Sequence, residues 1–173
     1  MFKAMHRLRT KIGRGDRGFT LVELLIVVAI IGILAAIAIP QFSVYRTRSY
    51  NATALSDLRN VRTAEENLFA DNGSYAPAAL SPGNLLLMFD GNTVGTFAVS
   101  KNVRMGVTTF AAAPTATVTA TTYAITSKSD AGDRRFCGES EQSAALYILD
   151  TIGTPLTTLV VATNANNCTG TAL

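Results

Sequence analysis

The sequence predicts an α+β protein, with one long N-terminal helix over about residues 19–71 packed on a C-terminal antiparallel β-sheet. Three observations carry that prediction. Phe19 to Ile39 is a run of 21 residues in which only Glu23 is charged. Apolar residues then recur near helical spacing at Ala54, Leu55, Leu58, Val61, Leu68 and Phe69, the pattern of an amphipathic helix. After Pro77 the texture turns to short segments rich in Thr and Val, broken by Gly, Asn and Asp, as expected of half-buried strands.

The first element is a cationic leader. Residues 1–18 hold Lys3, Arg7, Arg9, Lys11, Arg14 and Arg17 against one acid, Asp16. The whole chain carries +3, yet without this block nine basic residues face eleven acidic ones. A basic block before an apolar run keeps that end cytoplasmic. A nucleic-acid arm is the rival reading, but no aromatic residue interleaves the charges and a hydrophobic helix follows at once. No nucleic-acid partner is predicted.

The 21-residue run is about 32 Å long as a helix, close to a bilayer core of about 30 Å. Gly32 and Pro40 interrupt it, and a proline inside a helix removes a donor and crowds the preceding turn, so a soft point is expected over residues 36–40. The periodicity then resumes, placing Asp57, Arg59, Arg62 and Glu66 mostly on the other faces. Asp71-Asn72-Gly73 is the expected stop, with Asn72 or Gly73 in the left-handed conformation. A secretory signal cut after Ala36-Ile37-Ala38 is a rival; against it, helical periodicity continues through the cut.

Strands are expected over Val94 to Ser100, Val103 to Phe110, Val118 to Thr126 and Ala144 to Leu149. The biased stretch AAAPTATVTATT reads as a flexible or modified loop. Cys137 and Cys168 are the two cysteines. With the leader cytoplasmic they lie where disulfides persist; bridging them would close a loop of about 30 residues, worth roughly 3–4 kcal/mol. Two unpaired buried thiols are the alternative.

The chemical inventory points away from an enzyme. The one histidine, His6, is in the leader, so no Ser-His-Asp or Cys-His arrangement can form in the head. Two cysteines cannot build a zinc site, and no metal or cofactor is expected. Adjacent Glu65 and Glu66 read as a solvated face. GRGDRG matches a dinucleotide fingerprint but lacks the preceding strand that the motif requires.

Glu23 is then the puzzle, because an acid in lipid is costly and normally marks function. The nearest downstream base is Arg46. Cleavage between Gly18 and Phe19 would create an amine four residues before Glu23. In a packed array, the amine of one copy could meet the glutamate of its neighbour, with the helix N-terminus favouring the acid.

RGFTLVELLIVVAIIGILAAIAIPQF closely resembles the N-terminal signature of type IV prepilins, the precursors of bacterial type IV pilus subunits. The resemblance implies the pilin fold and three regions: a cleaved leader (1–18), a membrane-spanning and filament-core half of the helix (19–40), and an amphipathic half plus globular head (41–173). It implies cleavage after Gly18 by an inner-membrane prepilin peptidase and N-methylation of Phe19. Assembly would use Thr20, Leu21 and above all Glu23, while Gly32 and Pro40 would lend the helix flexibility. Cys137 and Cys168 would form a disulfide bounding a variable loop. The implied partners are further copies of the chain, the peptidase, the inner-membrane assembly machinery and, before assembly, the inner membrane itself. The destination is an extracellular pilus serving adhesion, surface attachment and motility.

SVYRTRSYNATALSDLRNVRTAEENLFADNGSYAP is further similar to helices of pilins from Geobacter and its relatives. That similarity implies an aromatic path through Phe42, Tyr45, Tyr50, Phe69 and Tyr75, and an electron-conducting filament as an alternative. Those pilins are short, whereas this chain carries a head. A pseudopilin of type II secretion or a minor pilin is the nearer alternative; the acid-free tail TNANNCTGTAL favours a pilin over a calcium-binding pseudopilin.

Overall fold

The computed structural model describes residues 18–89, 91–111, 115, 117–142, 144–157, 168 and 171–172. The chain divides into two compact units, Met1–Gln41 and Phe42–Leu173. One helix, α1 (Leu21–Asn72), contributes to both.

In the first unit α1 is unbroken through Gly32 and Pro40. Its side chains are uncovered, and an apolar window long enough to cross a membrane has none of its residues buried. Among the described residues of this unit, nothing covers these side chains.

The second unit is built around the remainder of α1. Ala54, Leu58, Val61 and Glu65 are fully buried on one stripe. The helix ends where the local chemistry demands: Gly73 adopts φ 69° and its amide donates to the Phe69 carbonyl at 2.8 Å, a glycine cap. Eight strands follow: β1 (Ala78–Pro82), β2 (Asn84–Phe89), β3 (Asn92–Ala98), β4 (Val103–Thr109), β5 (Tyr123–Ser129), β6 (Arg134–Glu139), β7 (Leu146–Leu149) and β8 (Thr171–Ala172). A six-stranded antiparallel sheet has the order β1-β4-β5-β6-β7-β8, while β2 and β3 form a separate hairpin. Leu58 and Val61 join Met105, Val107, Ile125 and Phe136 in the core, to which the hairpin adds Leu85 and Leu87. Gly138 admits the helix closely, because a Cβ there would stand 3.0 Å from Leu58 Cδ2.

The expected α+β arrangement is the one observed, with shifts in the strands. The segments expected at 94–100, 103–110 and 144–149 are β3, β4 and β7. The one expected at 118–126 begins only at Tyr123. Its earlier part is held by the loop after α1: the Ala120 carbonyl accepts from the Tyr75 amide at 2.9 Å, and the Ala120 amide donates to Ser74 Oγ at 2.8 Å. β1, β2, β6 and β8 were not expected. NLLLMF lacks alternation and RRFCGE is mostly polar, so neither carries a period-two signal. Part of AAAPTATVTATT and most of the tail lie outside the described residues.

Candidate functional site

At the start of α1, Thr20 and Glu23 close a reciprocal cap. Glu23 Oε2 accepts from the Thr20 amide at 3.0 Å and its hydroxyl at 2.9 Å, while the Glu23 amide donates to Thr20 Oγ1 at 3.2 Å. This is the capping box, whose T-x-x-E spacing is legible at residues 20–23. It gives the acid a place within its own chain and holds the carboxylate one residue from Phe19. Among the described residues Glu23 forms no salt bridge. Phe19 is 87% exposed, and Leu21, Leu24, Leu25, Val28 and Ala29 line an apolar groove on the helix surface. Such a surface is complementary to lipid or to other apolar helices. Gly18 is described, whereas the six leader bases lie outside the described residues.

In the head, Cys137 and Cys168 are bonded, and Glu139 accepts the Cys168 amide. The aromatic residues separate into two groups. Phe42 and Tyr45 are exposed. Tyr50 is half-buried and accepts from Arg46 Nε at 3.1 Å. Phe69 stacks on Tyr75 at 4.5 Å between centroids, and Tyr75 meets Tyr123 edge-on at 4.6 Å. Both tyrosine hydroxyls donate to Glu66. Burial and the Glu66 carboxylate push the Tyr75 phenol up to about 12. The ring contacts join the end of α1 to β5, a packing role.

One correction concerns the acids of α1. Glu65 is not on a solvated face: it is fully buried, Oε2 accepts the Ala76 amide at 3.0 Å, and Oε1 has no hydrogen-bond partner among the described residues. Burial pushes its pKa up to about 7, with Glu66 adding to the rise and the Ala76 amide opposing it. Asp57 likewise turns inward, accepting the Ser100 amide at 2.8 Å and the Ser100 hydroxyl at 3.0 Å. Helical spacing put Asp57 mostly off the apolar stripe, and Glu65 read as solvated, because nothing local reveals the loops that cover them. Among the described residues, no cluster of three metal-ligating side chains occurs.

Residues 13–39 match the family model for the prokaryotic N-terminal methylation motif. Over 64 residues the chain is 50% identical to the type IV major pilin protein PilA of Myxococcus xanthus, spanning 37% of this chain and 29% of that one. It is 46% identical over 66 residues to a fimbrial protein of Pseudomonas aeruginosa, spanning 38% and 43% respectively. The chain therefore spans less than half the length of these relatives. With the type IV wide pilus major component PilA4 of Thermus thermophilus, identity is 34% over 123 residues, 66% of this chain and 94% of the relative. That likeness runs well past the apolar helix and into the head. The chain belongs to the type IV pilins.

Proposed function

We propose that this chain is a structural subunit of a type IV pilus, matured by a prepilin peptidase and polymerised through residues 19–40. Residues 1–18 are the leader, kept cytoplasmic by their charge and removed between Gly18 and Phe19, and the new Phe19 amine is methylated. Before assembly, the helix anchors the chain in the inner membrane; afterwards the same apolar surface forms the filament core, and the pilus is extracellular. The partners are other copies, the peptidase and the assembly machinery of the inner membrane. The role is mechanical and adhesive, without catalysis.

The observation that carries this reading is Glu23 held by Thr20 at the tip of a helix whose first part, through Ile39, is otherwise uncharged and uncovered. Cleavage at Phe19 delivers an ammonium to the place where the cap already holds the carboxylate. In the filament that acid neutralises a neighbouring copy's amine. Mass spectrometry of sheared surface filaments is the test. The expected chain begins with N-methylated Phe19, and an intact leader in the filaments overturns the reading.

A further inference from the structure

We propose that the head carries a binding site for the phosphate of an anionic glycerophospholipid, at the membrane surface facing away from the cytoplasm. The inference rests on the membrane-anchored precursor proposed above. Two adjacent cavities of about 330 and 380 Å³ share Arg48, Asn51 and Arg134. Ser43 and Thr47 add hydroxyls to the first.

Both guanidiniums are left for an anion. Among the described residues, neither Arg48 nor Arg134 forms a salt bridge with a carboxylate. Each lies over a ring instead: Arg134 Cζ is 4.3 Å from the Tyr147 centroid and Arg48 Cζ is 5.9 Å from that of Tyr45. A ring occupies the face of a guanidinium and leaves its N–H edge available, the fork that suits phosphate. Asp133, the one acid lining the first cavity, accepts from Asn51 Nδ2 at 2.5 Å while its amide donates to Asn51 Oδ1 at 3.2 Å. That exchange fixes the wall between the two cavities. The second cavity has no acid in its lining.

The place along the chain selects a lipid. Ser43 follows the apolar run by four residues and Arg48 by nine, so both belong to the stretch of chain that leaves the bilayer, and a long side chain on a helix leans toward its N-terminus. Val44 and Ile152, exposed by 47% and 56%, line the first cavity, and Phe42 and Tyr45 are exposed on the same segment. Apolar and aromatic residues beside stacked arginines suit the boundary between acyl chains and headgroups.

The test uses the full chain in phosphatidylcholine vesicles carrying spin-labelled phosphatidylglycerol or spin-labelled phosphatidylcholine. Electron spin resonance reads the fraction of each label restrained by the protein. The wild-type chain is expected to prefer phosphatidylglycerol, with Arg48→Gln or Arg134→Gln each reducing the preference about fivefold. Arg59→Gln, an exposed arginine further along α1, is expected to leave it unchanged. Equal restraint of both labels, or selectivity surviving the double Arg48→Gln/Arg134→Gln variant, overturns the lipid site. So does arginine-dependent binding of inorganic phosphate to the vesicle-bound chain without preference for the anionic lipid, which would identify a free-anion site. Failure of the chain to float with the vesicles overturns the membrane anchor itself, and the lipid site with it.

Discussion

Lys128 Nζ lies 3.1 Å from Asp150 Oδ2, and the lysine side chain is fully shielded from solvent. The same ammonium donates to the carbonyls of Thr151 and Thr154 at 3.0 and 2.6 Å and to Thr154 Oγ1 at 2.8 Å. A residue of central strand β5 thereby holds the turn after β7. Desolvation would raise the Asp150 pKa, but the Thr151 amide and the lysine together hold it below the usual carboxylate range. Replacing Lys128 with Met should remove the ion pair and the donor to the Thr154 carbonyl, while the Thr151 carbonyl keeps the Thr154 amide and hydroxyl and Asp150 keeps the Thr151 amide, costing roughly 2 kcal/mol. The denaturant midpoint of the full chain checks this, and an unchanged midpoint would show that the turn stands without the lysine.

Glu65 predicts a pH dependence of the opposite sign to an ordinary ion-paired acid. Its folded pKa of about 7 lies above the 4.5 of an unperturbed glutamate. The unfolded chain therefore loses its proton first as pH rises, so the stabilisation present below about 4.5 is lost progressively through about 7. The loss is on the order of 3 kcal/mol. Glu65→Gln should remove this slope and stabilise the head at pH 8, as thermal unfolding across pH 4 to 8 would reveal. A slope that persists in the variant assigns it to another group.

The bond between Cys137 and Cys168 closes a loop across 31 positions. Chain entropy values such a closure at roughly 3–4 kcal/mol. Cys137→Ser/Cys168→Ser should lower stability by about that amount, and added reductant should then have no further effect on the variant.

Charge and capping can be separated at the start of α1. Glu23→Gln keeps a capping-box side chain, since glutamine serves that position as well as glutamate, but removes the charge. Thr20→Ala keeps the charge and removes the hydroxyl that accepts the Glu23 amide. If the charge drives assembly, Glu23→Gln should cut the yield of sheared filaments by at least about tenfold, while Thr20→Ala should reduce it less. Equal losses would assign the effect to the cap.

Asp57 is the buried anchor of the β3–β4 connection. Asp57→Ala leaves the Ser100 amide and hydroxyl without their acceptor, an expected loss of about 2 kcal/mol. Asp57→Asn, which retains one acceptor oxygen, should lose less in the same unfolding measurement.

The helix was readable almost to the residue because its determinants are local. An apolar run, resumed 3.6-residue spacing and an Asn-Gly stop put it at 19–71, against the observed Leu21–Asn72. Thr20 and Glu23 were equally local, three residues apart, although the acid was read for its charge and not for its cap. The segments at 94–100 and 103–110 declared themselves through β-branched residues, and 144–149 through a short apolar run with Tyr147 and Ile148. Those of β2 and β6 did not: β2 buries Leu85 and Leu87 and exposes Leu86 and Met88, all four apolar, so the alternation lies in burial and not in residue type, and β6 is mostly polar.

Which polar groups would be enclosed was decided by the assembled head. Asp57, Glu65 and Lys128 look like surface residues in one dimension; each is buried because a distant loop or turn brings amides or carbonyls to meet it. The cavities that join Arg48 to Arg134 depend likewise on β6 returning beside α1. Helix propensity and hydrophobic spacing act over a few residues and survive in the bare order of amino acids. Desolvation, and the hydrogen bonds that offset it, arise only between parts of the chain far apart in that order.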